Sequence, residues 1–101
     1  MQRPEVNINP TPIYNGDTIT VDYNGLLAKS GAEKVYLHAG TTNGNDQAWN
    51  NIQDIEMKPK QDGSWRIQLQ VEDGNSFNFC FKDCANNWDN NNGHNWTQEI
   101  Y

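Results

Sequence analysis

Apolar residues recur at every second position through most of this chain. In residues 17–23, Ile19, Val21 and Tyr23 share one phase while Thr18, Thr20 and Asp22 share the other, the period of two expected of a half-buried strand. The alternation returns in residues 33–39, where Val35, Leu37 and Ala39 oppose Tyr36 and His38. It is clearest in residues 65–71, with Trp65, Ile67, Leu69 and Val71 against Arg66, Gln68 and Gln70. Phe77, Phe79 and Phe81 then read as an inward row opposite Asn78, Cys80 and Lys82. Weaker strands are predicted at Val6–Asn9, an edge strand stopped by Pro10 and Pro12, at residues 52–58 with Ile55 and Met57 in phase, and at residues 96–101 with Trp96 and Ile100 in phase.

Turn formers separate these runs: Asn15-Gly16, Asn24-Gly25, Ser30-Gly31, Asp62-Gly63 and Asp73-Gly74-Asn75. Asn and Gly accept the backbone conformations that tight turns demand. No window keeps a helical period for the roughly 11 residues that would justify a helix, and Leu26-Leu27-Ala28 reads as a link between two breakers. Short strands at near-regular spacing predict an all-β fold: an immunoglobulin-like antiparallel β-sandwich of seven or more strands, one domain over residues 1–101. A closed barrel of the oligonucleotide-binding type is the alternative, disfavoured by the charge.

That charge is −6, from seven basic and thirteen acidic residues, and it repels phosphate backbones and anionic membrane surfaces. Neither nucleic acid nor membrane is expected as a partner, and no apolar stretch approaches the roughly 18 residues of a membrane span. Met1-Gln2-Arg3 begins neither an apolar run nor a cleavage site, so an exported parent would carry this piece further along its chain. At 101 residues there is room for one core and no second lobe. The chain reads as a module, expected to be monomeric.

Two tryptophans stand apart from every buried strand phase. Trp49 is the one large apolar residue of the polar stretch 40–51, and Trp88 sits in Asn86-Asn87-Trp88-Asp89-Asn90-Asn91-Asn92-Gly93-His94-Asn95-Trp96, which apart from its two tryptophans is amides, one carboxylate, one imidazole and one glycine. Trp65 belongs to a buried row, and Trp96 is divided between core and rim. His38 lies on the face away from its aliphatic neighbours and just before the first of these loops. A pyranose presents a face of C–H groups and a rim of hydroxyls, so an exposed indole supplies a plate while Asn and His supply donors and acceptors around it. Sixteen asparagines make such a rim easy to build, though any loop-rich chain also uses Asn in its turns. The competing reading of each indole is a lid folded back over the core.

Catalytic and metal chemistry find less support. A glycosidase needs two carboxyl groups about 5 to 9.5 Å apart across a cleft, and nothing in the spacing of Asp46, Asp83 and Asp89 pairs them. Ser30, Ser64 and Ser76 lie at turns, without a nucleophile motif. No catalytic residue, metal ligand or cofactor is therefore expected. The run from Asp89 to Gly93 suggests calcium but fails the EF-hand register, since Gly93 is fifth and Glu99 eleventh from Asp89; a structural calcium at an irregular oxygen site is kept as the minor alternative. Cys80 and Cys84 would lie about 13 Å apart on one continuous strand, so a disulfide between them requires the strand to end near Phe81.

The ordered motifs Val21-Asp22-Tyr23-Asn24-Gly25-Leu26-Leu27, Val35-Tyr36-Leu37-His38-Ala39-Gly40 with Trp49 downstream, Phe79-Cys80-Phe81-Lys82-Asp83, Asn87-Trp88-Asp89-Asn90-Asn91 and Asn95-Trp96 resemble a starch-binding carbohydrate-binding module of family 25, or of the similar family 53. The resemblance covers residues 6–101. It implies an immunoglobulin-like sandwich that binds α-1,4-linked glucans such as starch, glycogen or maltooligosaccharides through His38, Trp49 and Trp88, with Asn90 and Asn91 beside them. It further implies a secreted, extracellular setting and a covalently linked catalytic domain, amylase-like, that the module carries to its polymer. A structural spacer or interaction domain without sugar binding is the rival expectation, and a small glycosidase the third.

Overall fold

The alternating segments become strands, and most of the Gly and Asn pairs become the turns between them. The computed structural model describes residues 5–44, 48–72, 74–91 and 93–101. Among these, the elements run β1 (Val6–Asn9), β2 (Thr18–Tyr23), α1 (Leu26–Lys29), β3 (Val35–Thr42), β4 (Asn50–Glu56), β5 (Lys58–Pro59), β6 (Trp65–Gln70), β7 (Ser76–Asp83), β8 (Trp88–Asp89) and β9 (Trp96–Glu99). One sheet has the order β1-β2-β6-β5; the other has the order β4-β3-β7-β8, with β9 also on β7. Every strand pair is antiparallel, and a single parallel bridge joins Ile13 to Ile100. Two open sheets facing one another are the predicted sandwich and not the closed barrel.

The inward rows meet as their phase requires. Ile19, Val21 and Tyr23 from one sheet and Val35, Leu37, Phe79 and Phe81 from the other are buried. Each such side chain contributes about 1.5–3 kcal/mol of apolar burial. Tyr23 stacks on Phe81 across the interface, 3.9 Å between centroids at 22°. Trp65 is core, 8% exposed. Trp96 resolves as a half-buried residue that lies on Phe79 at 6.0 Å and meets Phe81 edge-on at 5.3 Å.

Three details depart from the expectations. Residues 26–29 form a helical turn because Leu27 plugs the core and the Tyr23 hydroxyl accepts the Leu27 N–H at 3.0 Å; a single turn held from outside is too short to show a period. The predicted strand 52–58 starts earlier, at Asn50, and is split at Met57, whose buried side chain marks the crossing from one sheet to the other. β7 is buried on both faces, since Asn78 and Cys80 join the phenylalanines inside. β7 pairs with β3 on one side and with β8 and β9 on the other, and Asn78 is satisfied by Thr42 and Thr97 at 3.2 and 3.0 Å. The strand continues through Asp83, which keeps Cys80 and Cys84 apart, and both are free thiols. Burial pushes the Cys80 thiol up to about 11.

Candidate functional site

His38 lies mid-strand in β3, its register partners being Asp54 on β4 and Cys80 on β7. One row further along, Tyr36 pairs with Lys82, which in turn pairs with Trp88 on β8. Alternation therefore places Tyr36, His38, Asp54, Lys82 and Trp88 on the outer face of the five-stranded sheet, opposite the core. The small Cys80 between His38 and the β8 side leaves a floor without a bulky side chain.

Trp49 reaches this face through a bulge. The β3–β4 register shifts between Ala39 and Thr41, so two residues of β4 oppose the one residue Gly40. A side chain at Gly40 would stand 2.9 Å from the Trp49 Cβ and 3.1 Å from the Asn50 carbonyl oxygen. Only glycine lets the incoming strand lie this close. Asn51 completes the bulge with φ of 54°, a left-handed conformation that Asn tolerates better than most residues.

Trp88 is held out by its neighbour. Asp89 turns inward and is 9% exposed, accepting the Tyr23 O–H at 2.5 Å, so strand alternation turns Trp88 outward at 45% exposure. The Tyr23–Asp89 bond ties the two sheets together. Desolvation, then the hydrogen bond to Asp89, drives the Tyr23 pKa far above its ordinary value. Gly25 sits against this pair, where a Cβ would meet the Tyr23 ring at 2.6 Å and Asp89 Oδ2 at 2.9 Å.

The result is an open depression of about 410 Å³ lined by His38, Trp49, Ile52, Cys80, Trp88, Asn90 and Asn95. The His38 ring lies 5.8 Å from Trp49 at 34° and 5.2 Å from Trp88 at 89°. The two indole planes therefore differ by at least 55°, the difference between those angles. Two plates set around an imidazole form a bent platform.

A hydrogen-bonded pair fixes its centre. His38 Nδ1 and Asp54 Oδ1 are 2.5 Å apart, and an ionised carboxylate only accepts, so Nδ1 carries the proton. In the neutral ring Nε2 is then an acceptor for a hydroxyl. Asp54 Oδ2 also takes the Lys82 ammonium at 3.2 Å, and that ammonium sits 5.4 Å from the Trp88 ring centroid and 5.9 Å from Tyr36. Partial burial pulls the Asp54 pKa upward, but hydrogen bonds and charge from His38 and Lys82 outweigh it and hold the carboxylate below its ordinary value.

Of the five residues singled out from sequence, His38, Trp49, Trp88 and Asn90 line this depression, and Asn91 does not. Asn91 instead donates its side-chain N–H to the Asn95 carbonyl at 3.2 Å, inside a turn where Asn90 Oδ1 accepts the Gly93 N–H at 3.0 Å. Asn95 takes the place expected of Asn91. Its φ of 57° is a property of turn closure that no strand pattern reveals. Asp54 and Lys82 were also missed, although each falls on the outward phase of a predicted strand.

Two of the carboxylates considered for catalysis, Asp83 and Asp89, are engaged in hydrogen bonds within the fold. Asp89 is spent on Tyr23. Asp83 closes the β7–β8 turn by accepting the Asn87 side chain and the Ala85 and Asn87 N–H groups at 2.8 to 2.9 Å; those bonds, the Asn87 side chain first, lower its pKa. Asp46, Asp73 and Asn92 lie outside the described residues.

Residues 19–79 match a family model described as a starch/carbohydrate-binding module (family 53). That span includes His38, Trp49, Asp54 and Gly40 and stops short of Trp88. Comparison with curated proteins and with solved structures gives no match.

Proposed function

Because the chain belongs to the starch/carbohydrate-binding modules of family 53, we propose that the outer face of its five-stranded sheet binds α-1,4-linked glucans across Trp49, His38 and Trp88. A module of this kind is noncatalytic as a domain. The observation that carries the choice of ligand is the angle of at least 55° between the indole planes. A helical α-1,4 glucan turns its successive sugar faces, whereas a flat ribbon such as cellulose wants coplanar plates. His38 Nε2 and the amides of Asn90 and Asn95 supply hydroxyl partners beside the plates. Asn91 shapes the turn that carries Asn90 and Asn95.

Two plates covering about 100 Å² each at roughly 25 cal/mol/Å² contribute about 5 kcal/mol before ordering costs. The expected Kd for maltooligosaccharide is about 10⁻⁴ M. In the proposed setting the module is secreted and acts as a monomer. It carries an attached starch-degrading enzyme, amylase-like, to starch or glycogen and raises the local substrate concentration by tethering. Retention on insoluble starch tests the reading against a spacer domain: the chain should bind and be released by free maltoheptaose, and passage through the column unretarded would count against it.

A further inference from the structure

The sequence contains two Ile-Tyr pairs, Ile13-Tyr14 and Ile100-Tyr101, and the fold brings them together. Ile13 and Ile100 form the parallel bridge and are both buried, so each acts as a plug that turns the following tyrosine outward. Tyr14 and Tyr101 are 56% and 64% exposed, with ring centroids 6.1 Å apart at 50°.

These rings are not loose ends of chain. The Tyr101 N–H donates to the Ile13 carbonyl at 2.8 Å and its carbonyl accepts the Asn15 N–H at 2.7 Å. The Tyr14 N–H donates to Asp17 Oδ2 at 2.9 Å and its carbonyl accepts the Asp17 N–H at 2.9 Å. The Tyr101 hydroxyl donates to Glu99 at 2.8 Å, which orients it and leaves its oxygen free to accept. Two tilted aromatic plates on a fixed backbone thus stand at the end of the sandwich where β2 and β7 begin and β6 and β9 end.

We propose that Tyr14 and Tyr101 form a second contact for α-1,4-linked glucan, separate from the indole platform. The carboxylates of Asp17 and Glu99 beside the rings, on a chain of net charge −6, turn away anionic ligands. A neutral polyhydroxyl chain stacks on the ring faces and gives its hydroxyls to Glu99 and the tyrosine oxygen. The identity of the ligand rests on the reading under Proposed function; the existence of the surface does not. With two contacts on one domain, a long branched glucan engages both, and the second engagement is intramolecular.

The test is a titration of the 101-residue chain with maltoheptaose, followed by amide and side-chain NMR shifts. Two groups of residues should respond with different saturation: one around His38, Trp49 and Trp88, the other at residues 13–17 and 99–101. The second group should still respond in the Trp49→Ala/Trp88→Ala double variant. In the Tyr14→Ala/Tyr101→Ala variant, maltoheptaose affinity at the indoles should be unchanged while retardation in amylopectin gels falls by about threefold to tenfold, as loss of avidity requires. Response at the indoles alone overturns this proposal and leaves the proposed function standing. Response at the tyrosines alone does the reverse, and silence at both overturns the two together.

Discussion

The four tryptophans divide by place, with Trp49 and Trp88 lining the outer depression and Trp65 and Trp96 in or against the core, and the division predicts opposite effects of the same substitution. Trp49→Ala and Trp88→Ala each remove a plate and should cost about 2 kcal/mol of glucan binding, with melting temperatures kept within a few degrees. Trp65→Ala empties part of the core and should cost about 3–5 kcal/mol of stability. Calorimetric melting of the three variants, set beside their maltoheptaose affinities, checks the partition. Asp54→Ala should weaken binding by about 1 kcal/mol without touching sugar, because His38 loses the partner that fixes its tautomer and Lys82 loses its anchor over Trp88; unaltered affinity in that variant would mean His38 is held by other means. Strand phase alone pointed outward for His38 and away from the core for Trp49 and Trp88. It could not rank Asp54 above the other polar residues of β4, since that ranking comes from its register against His38. Nor could it separate Asn91 from Asn95, whose roles depend on how a turn of amides closes.

At the scale of elements, the site depends on two close approaches that have no signature in hydrophobic patterning. Gly40 admits the β4 strand at the bulge, so Gly40→Ala should push Trp49 away from His38 and weaken binding more than it lowers stability, as the same pair of measurements would show. The other approach is the Tyr23–Asp89 bond beneath Trp88. Tyr23→Phe leaves a buried carboxylate without its hydroxyl donor and the Leu27 N–H without its acceptor, which should cost about 1–3 kcal/mol of folding stability in denaturant titration. A variant as stable as the parent would remove this bond from the account. Strands β2, β3, β6 and β7 were legible because one face of each carries a run of apolar residues. The helical turn at Leu27 and the break at Met57 were not, because each is fixed by a single plug into a core that only exists once the sheets have packed.

For the whole molecule, charge makes predictions that are independent of the site's details. An uncharged glucan releases no counterions, so its affinity should vary less than about twofold from about 50 to about 500 mM NaCl; a tenfold loss would signal an anionic ligand. Asp54 and Asp83 have lowered pKa values, so they protonate at lower pH in the folded chain than in the unfolded one. The stability they contribute is present above the ordinary carboxylate value of 3.8 and is lost as pH falls through their folded values. Asp54 is exposed and Asp83 partly so, and solvent screening keeps that loss shallow. Tyr23 has the opposite sign: its raised pKa contributes stability below its ordinary 10.0 that is lost as pH rises above it. Melting temperature against pH should therefore form a plateau that falls gently below about pH 4 and more steeply above about pH 10.

The central claim is that a glucan lies across Trp49, His38 and Trp88, and tryptophan fluorescence during a maltoheptaose titration reports on it most directly. The parent chain should show a saturable change with a Kd of about 10⁻⁴ M, reduced in each single tryptophan variant and abolished in Trp49→Ala/Trp88→Ala while that variant remains folded. A folded double variant that still bound maltoheptaose with parental affinity and signal would contradict the claim.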